Sequence, residues 1–415
     1  MIVSALAVSC TDDELVKGGD KYEVVPDIPV ALSLKIKVAD QMEVQTRLAQ
    51  SDETERTVNK LFVIAFKPSK QSDGAENADA SDDEWSVDNS AFYDTEDGLG
   101  NPIEVGKPQS VEFSMTTGLR RIYVVGNPQS GVGTLSDDEL KNVKTIAALK
   151  ALYSKLSDNL SVERVYFLMT GQAITKEKSE IVTVYKSGDH QGAIREDYTM
   201  ALNHVDARIT FNIIPAVGVT FEPEAYRVIN IPGGTYLFSR EKQNSGDNTW
   251  DYDGAGYAPS NRLSDFTEKD GKSIFEFYIC ENRQNPKQKI STESLLEEGT
   301  YYALREKQEK KLITGTVEGQ KYENGEYVYA NAKSTYVELE GTITYKDDDG
   351  SEVYAKTTYT IHLGNTGNSN TADWLNDLEL VNNYDTERNT HYTYNVKVQS
   401  VDQIIVEVED SKEVN

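Results

Sequence analysis

Hydrophobic and polar residues alternate in short runs along most of this chain, and few runs are long enough for helices. Val30, Leu32, Leu34, Ile36 and Val38 point one way, while Ala31, Ser33, Lys35 and Lys37 point the other. That period of two predicts a strand over 30–38 with one buried face. Residues 58–66 form a denser apolar run, suited to a strand inside a sandwich. Strands are also expected over 110–115, 119–126, 165–170 and 181–185. Val205, Ala207, Ile209, Phe211 and Ile213 alternate within one run, 200–215. Residues 274–282 read as a further strand, and 342–361 as a hairpin turning at Asp347, Asp348, Asp349 and Gly350. A last strand is expected over 403–409, with Ile404, Val406 and Val408 on one face.

One stretch has a different period. Ser136 and Glu139 have capping-box spacing. Behind them Leu140, Val143, Ile146, Leu149, Leu152, Tyr153 and Leu156 recur every three or four residues. This spacing predicts a single amphipathic helix of about 20 residues, laid against a sheet. Residues 67–101 are rich in Asp, Ser, Gly and Asn and read as a solvated acidic loop. Gly233 and Gly234 are expected to make a tight turn.

Composition narrows the function classes. The 415 residues fit two domains of about 150–200 residues each. The formal charge of −27 leaves no basic footprint for a nucleic acid. Frequent tyrosine, 24 residues, is β-rich usage. The two cysteines, Cys10 and Cys280, give no disulfide framework, and Cys280 reads as an inert strand thiol. Cys10 follows a short apolar run ending in Ala7, Val8 and Ser9 and precedes Thr11, Asp12 and Asp13. That arrangement resembles a bacterial lipoprotein box, with residues 1–9 as a clipped export signal and Cys10 as the lipidation site. No run of 18 or more apolar residues predicts a transmembrane helix.

Catalytic signatures are absent. His190, His204, His362 and His391 are scattered, with no zinc spacing, nucleophile elbow or P-loop. The chain therefore reads as a non-enzyme with no catalytic residue, metal or cofactor. The polar linker between the strand over 30–38 and the run from Val58 carries Arg47 followed by Leu48. An exposed arginine in such a linker is where a trypsin-like protease would cut.

Several segments together resemble the type V fimbrillins, the FimA-like subunits of Bacteroidales fimbriae. Residues 58–66 look like that family's first mature strand, and 119–131 (LRRIYVVGNPQSG) like its strand and N-x-x-G turn. Residues 166–171 match its strand ending in Met-Thr, and 226–237 its N-x-P segment. Residues 274–282 end in Tyr-x-x-Glu-Asn. The segment beginning Arg388-Asn389 carries an R-N-x-x-Y-x-x-x-V signature. The resemblance spans about 30–409, with 67–101 and 239–263 as local additions.

The resemblance implies an all-β fold of two tandem transthyretin-like β-sandwich domains, the first carrying one helix. Residues 10–47 would be a lipidated pro-segment, 48–203 the N-terminal sandwich and 204–415 the C-terminal one. It implies a structural subunit of a cell-surface fimbria, exported through the periplasm and lipid-anchored at the outer membrane. An arginine-specific protease would cut between Arg47 and Leu48 and release the placeholder strand (Val30, Leu32, Leu34, Ile36, Val38). A donor strand would replace it, the candidate in this chain being Ile404, Val406 and Val408. Partners would be other fimbrial subunits, the protease, and host or bacterial surface ligands, with membrane contact only through the lipid. Two alternatives stay open: a tip or anchor subunit, and a monomeric glycan-binding lipoprotein of the outer membrane.

Overall fold

The computed structural model describes residues 24–39, 57–104, 107–128, 135–155, 167–186, 194, 197–239, 257–283, 288–290, 313–317, 320–329, 333–347, 349–364 and 385–412. In the first half, β1 (Pro29–Val38), β2 (Lys60–Lys67), β3 (Ser86–Asp94), β4 (Gln109–Thr116) and β5 (Gly118–Gly126) precede two short helices. After the helices come β6 (Tyr153–Lys155), β7 (Met169–Thr175), β8 (Val182–Val184) and β9 (Tyr198–His204). The sheet runs β3-β2-β5-β7-β9-β1-β4, with β8 paired to the start of β5.

β2 is covered on both faces, which explains its continuous apolar sequence. Leu61, Val63 and Ala65 share a core with inward residues of β1, β4, β5, β7 and β9. Phe62, Ile64 and Phe66 face a second cluster containing Trp85, Tyr123 and the helical residues Leu140, Ile146 and Leu149.

Three sequence expectations are corrected here. The predicted single helix is two, Asp137–Lys141 and Ile146–Lys150. The first carries the predicted capping box at Ser136 and Glu139. It stops at Asn142, because the next backbone groups are drawn into sheet contacts. Lys144 O accepts from Val87 N at 3.0 Å, and Thr145 bridges Ser86. Thr145 then caps the second helix by accepting from Ala148 N. Leu140, Val143, Ile146 and Leu149 are nonetheless buried, as the periodicity implied.

The segment 67–101 is not all solvated loop. It holds β3, which pairs with β2, and Trp85, which is fully buried and donates from Nε1 to Ala80 O at 3.1 Å. β3 (SVDNSAFYD) has no alternating burial and hence no readable period. Finally, Gly234 has no positive φ. A Cβ there would lie 2.3 Å from Ser154 O across the β6 pairing, so close backbone approach requires the glycine rather than a turn.

The second half opens with β10 (Asp206–Pro215), separated from β9 at Val205, and β11 (Val219–Ile229). Short strands follow: β12 (Ile231–Pro232), β13 (Gly234–Tyr236), β14 (Tyr257–Ala258) and β15 (Thr267–Lys269). Then come β16 (Lys272–Cys280), β17 (Gln288–Ile290), β18 (Ile313–Val317) and β19 (Gln320–Tyr329). The described chain ends with β20 (Tyr336–Lys346), β21 (Glu352–His362), β22 (Thr390–Ser400) and β23 (Gln403–Lys412). A five-stranded sheet, β15-β16-β10-β22-β23, and a three-stranded sheet, β11-β20-β21, enclose one core. β17, β19 and β18 form a separate small sheet. Aromatic rings dominate the core, with Phe211 stacked on Phe275 at 4.7 Å and on Tyr394 at 4.6 Å. The predicted hairpin is present as β20 and β21. Among the described residues no helix is long and apolar enough to cross a membrane.

Candidate functional site: the first strand and its groove

β1 is the second strand from one edge of its sheet, between β9 and the edge strand β4. It runs antiparallel to β4 over eight positions, from Pro29 opposite Thr116 to Ile36 opposite Gln109. On its other side it joins β9 in parallel at Lys37 and Val38 only. The predicted inward face is the observed one: Leu32, Leu34, Ile36 and Val38 are buried, and Val30 packs at the margin of the core. Beside them on the same side of the sheet lie Val111, Phe113 and Met115 of β4 and Met200 and Leu202 of β9, in a core that also takes in Leu61 and Val63 of β2. Taking β1 away would strip the polar backbone edge of β4 and expose this apolar floor.

The start of β1 is fastened by groups the sequence reading did not single out. Thr117 meets the segment before the strand four times. Its N donates to Ile28 O at 2.9 Å and its O accepts from Asp27 N at 3.0 Å. Its Oγ1 accepts from Ile28 N at 3.0 Å and donates to Val25 O at 2.5 Å. Asp27 has a left-handed φ of 66° and turns its carboxylate to two lysines, Lys67 at 3.0 Å and Lys70 at 2.8 Å. Hydrogen bonds from Lys70 and then Lys67 hold that carboxyl at about 2, below its ordinary 3.8.

Behind the lysines lies Arg120, fully buried in β5. It pairs with Glu76 at 2.9 Å and Asp88 at 3.2 Å, and donates to Thr116 Oγ1 and Thr117 O. Lys67 also reaches Asp88, at 3.8 Å. Lys70 and Glu76 are bridged through their backbones. A buried arginine so fully partnered fixes geometry; losing one partner would leave a charge stranded. The sequence offered one signal, an arginine at an inward position of an apolar strand.

Cys10, Arg47 and Leu48 lie outside the described residues. Ile404 and Val406 are buried in the C-terminal core and Val408 packs against it. Their strand, β23, is already paired with β22 at ten positions.

Residues 30–208 match the family model of the major fimbrial subunit protein, FimA. Over those residues this chain is similar to the FimA-type fimbrillins. The match starts within β1, so the first strand belongs to the family's domain. No curated protein matches the chain. Among solved structures, the chain is similar to the C-terminally truncated tip fimbrial protein Mfa3 of Porphyromonas gingivalis. The two are 14% identical over 93% of this chain and 100% of that one, with a TM-score of 0.49. A candidate cell adhesion protein of Parabacteroides distasonis is 15% identical over 92% and 98%, with a TM-score of 0.49. The fimbrial anchor protein Mfa2 of Porphyromonas gingivalis is 11% identical over 92% and 97%, with a TM-score of 0.35.

In the second half of the chain, the R-N signature has a visible structural task. Arg388 donates to Leu237 O at 2.8 Å and Tyr236 O at 2.9 Å, and pairs with Glu281. It thereby holds the segment from which Leu237 and Phe238 enter the helix-side core of the first half. On the same segment, β13 pairs with β6. Asn389, with φ 57°, accepts from His204 N and donates to Asn203 Oδ1, both at 3.0 Å. The signature thus ties β22 to the end of β9 and to a segment packed on the first half.

Proposed function

We propose that this chain is a fimbrillin, a structural subunit of a cell-surface fimbria, whose first strand is a placeholder. The observation that carries the reading is the seat of β1, with four inward side chains buried between β4 and β9. Cutting between Arg47 and Leu48 separates β1 from the remainder of the chain. An extended strand of a neighbouring subunit then takes its place, satisfying the β4 edge by backbone pairing and the apolar floor by alternate side chains. Repeated from subunit to subunit, this heterologous contact gives a filament and not a closed ring.

In this scheme Cys10 carries the lipid that anchors the precursor at the outer membrane, and residues 48–203 and 204–415 are the two mature domains. β23 can serve as a donor only by leaving β22, where it is already paired at ten positions, as many as β1 makes with β4 and β9 together. Other fimbrial subunits are therefore the expected donors.

The test compares wild type with Arg47→Ala, each treated with an arginine-specific protease. Light scattering and electron microscopy should show filaments only from wild type, while Arg47→Ala stays folded and monomeric. Equal assembly by both proteins, with residues 30–38 still present in the filament, would refute the placeholder role.

A further inference from the structure

Resting on the strand replacement just proposed, we infer that Lys67 and Lys70 select incoming strands by a carboxylate lying ahead of their first inward apolar residue. In β1 that carboxylate is Asp27, three residues before Val30 and five before Leu32. The cluster at this end holds three cations, Lys67, Lys70 and Arg120, and three carboxylates, Asp27, Glu76 and Asp88. When β1 leaves it takes Asp27 with it, and the cluster is left with one positive charge in excess.

The lysines do not depend on β1 for their placement. Lys67 ends β2 and reaches Asp88, while Lys70 is bridged to Glu76, which is fixed by buried Arg120. A cationic end therefore persists beside the vacated apolar floor, in a chain whose overall charge is −27. A donor from an equally acidic subunit meets general repulsion, and this is a place where its carboxylate is favoured. Thr117 adds hydrogen-bonding groups for the backbone on either side of that carboxylate. The occupant that fits is an extended segment of another fimbrial subunit, with Asp or Glu shortly before an alternating apolar run.

The experiment uses the full chain with a site-specific protease sequence inserted after Arg47. After cutting, a fluorescent synthetic peptide of residues 24–39 is exchanged against the resident strand. The Asp27→Asn peptide should bind about tenfold more weakly than the native one, and the gap should narrow at about 0.5 M salt. In a Lys67→Gln/Lys70→Gln chain the two peptides should bind alike. In a Lys67→Glu/Lys70→Glu chain an Asp27→Lys peptide should bind best. Equal binding of native and Asp27→Asn peptides to the unaltered chain would overturn the inference while leaving strand replacement intact. Failure of every peptide to exchange would instead refute strand replacement itself.

Discussion

Replacing Ile36 with alanine tests the seat of β1 most directly. Ile36 is fully buried, packs in the first core and stands opposite Gln109. Truncating such a side chain removes its transfer free energy and leaves a cavity, a loss of about 2–5 kcal/mol. Its neighbour Lys35 is exposed, so Lys35→Ala should change stability by no more than about 0.5 kcal/mol. Denaturant melting of the uncut chain should separate the two variants by that margin.

Cutting the linker raises the stakes. Burial of Leu32, Leu34, Ile36 and Val38 contributes roughly 6–12 kcal/mol, at ~1.5–3 for each side chain. A strand no longer tethered must offset an association cost of similar size, about 4–15 kcal/mol. Retention is then closely balanced, and the Ile36→Ala loss should weaken it about 30-fold to over a thousandfold. The assay is the amount of β1 fragment still bound after gel filtration of the cut protein. If Ile36→Ala melts like Lys35→Ala and the fragment stays bound equally in both, β1 is not held by this face.

Four further outcomes follow from the geometry. Leu149→Ala should lower denaturant stability by about 2–5 kcal/mol, despite the shortness of its helix, because the side chain is fully buried. Arg120→Ala should cost about 3–5 kcal/mol in the same measurement by stranding Glu76 and Asp88, whereas a surface pair such as Lys107–Glu104 should cost under ~1. Asp27→Asn should flatten acid denaturation in one window. The folded carboxyl sits at about 2 against 3.8 unfolded, so its stabilisation is present above about pH 4 and fades as pH falls towards 2. Arg388→Ala should make the region around Leu237 and Phe238 exchange amide hydrogens faster, with β20 and β21 unchanged as the internal reference.

The sequence alone determined which face of each alternating strand is buried. Alternation from Val30 to Val38 is a record of burial, since each side chain's polarity answers to the solvent on its own side of the strand. For the same reason the threes and fours from Leu140 to Leu149 named buried residues correctly, even though the helix is broken there. Polarity patterns carry no record of partners. That Lys144 and Thr145 pair with the start of β3, ending the first helix, is decided by a strand that has no period of its own. Nor does local pattern place β1 between β4 and β9, or Thr117 against Ile28 across 89 positions of sequence. The cluster of Asp27, Lys67, Lys70, Glu76, Asp88 and Arg120 draws on five separate segments, of which only Arg120, inward on an apolar strand, stands out in isolation. Such contacts become readable only when the chain is folded, because the electrostatic and hydrogen-bonding gains that fix them act through space and leave no spacing along the sequence.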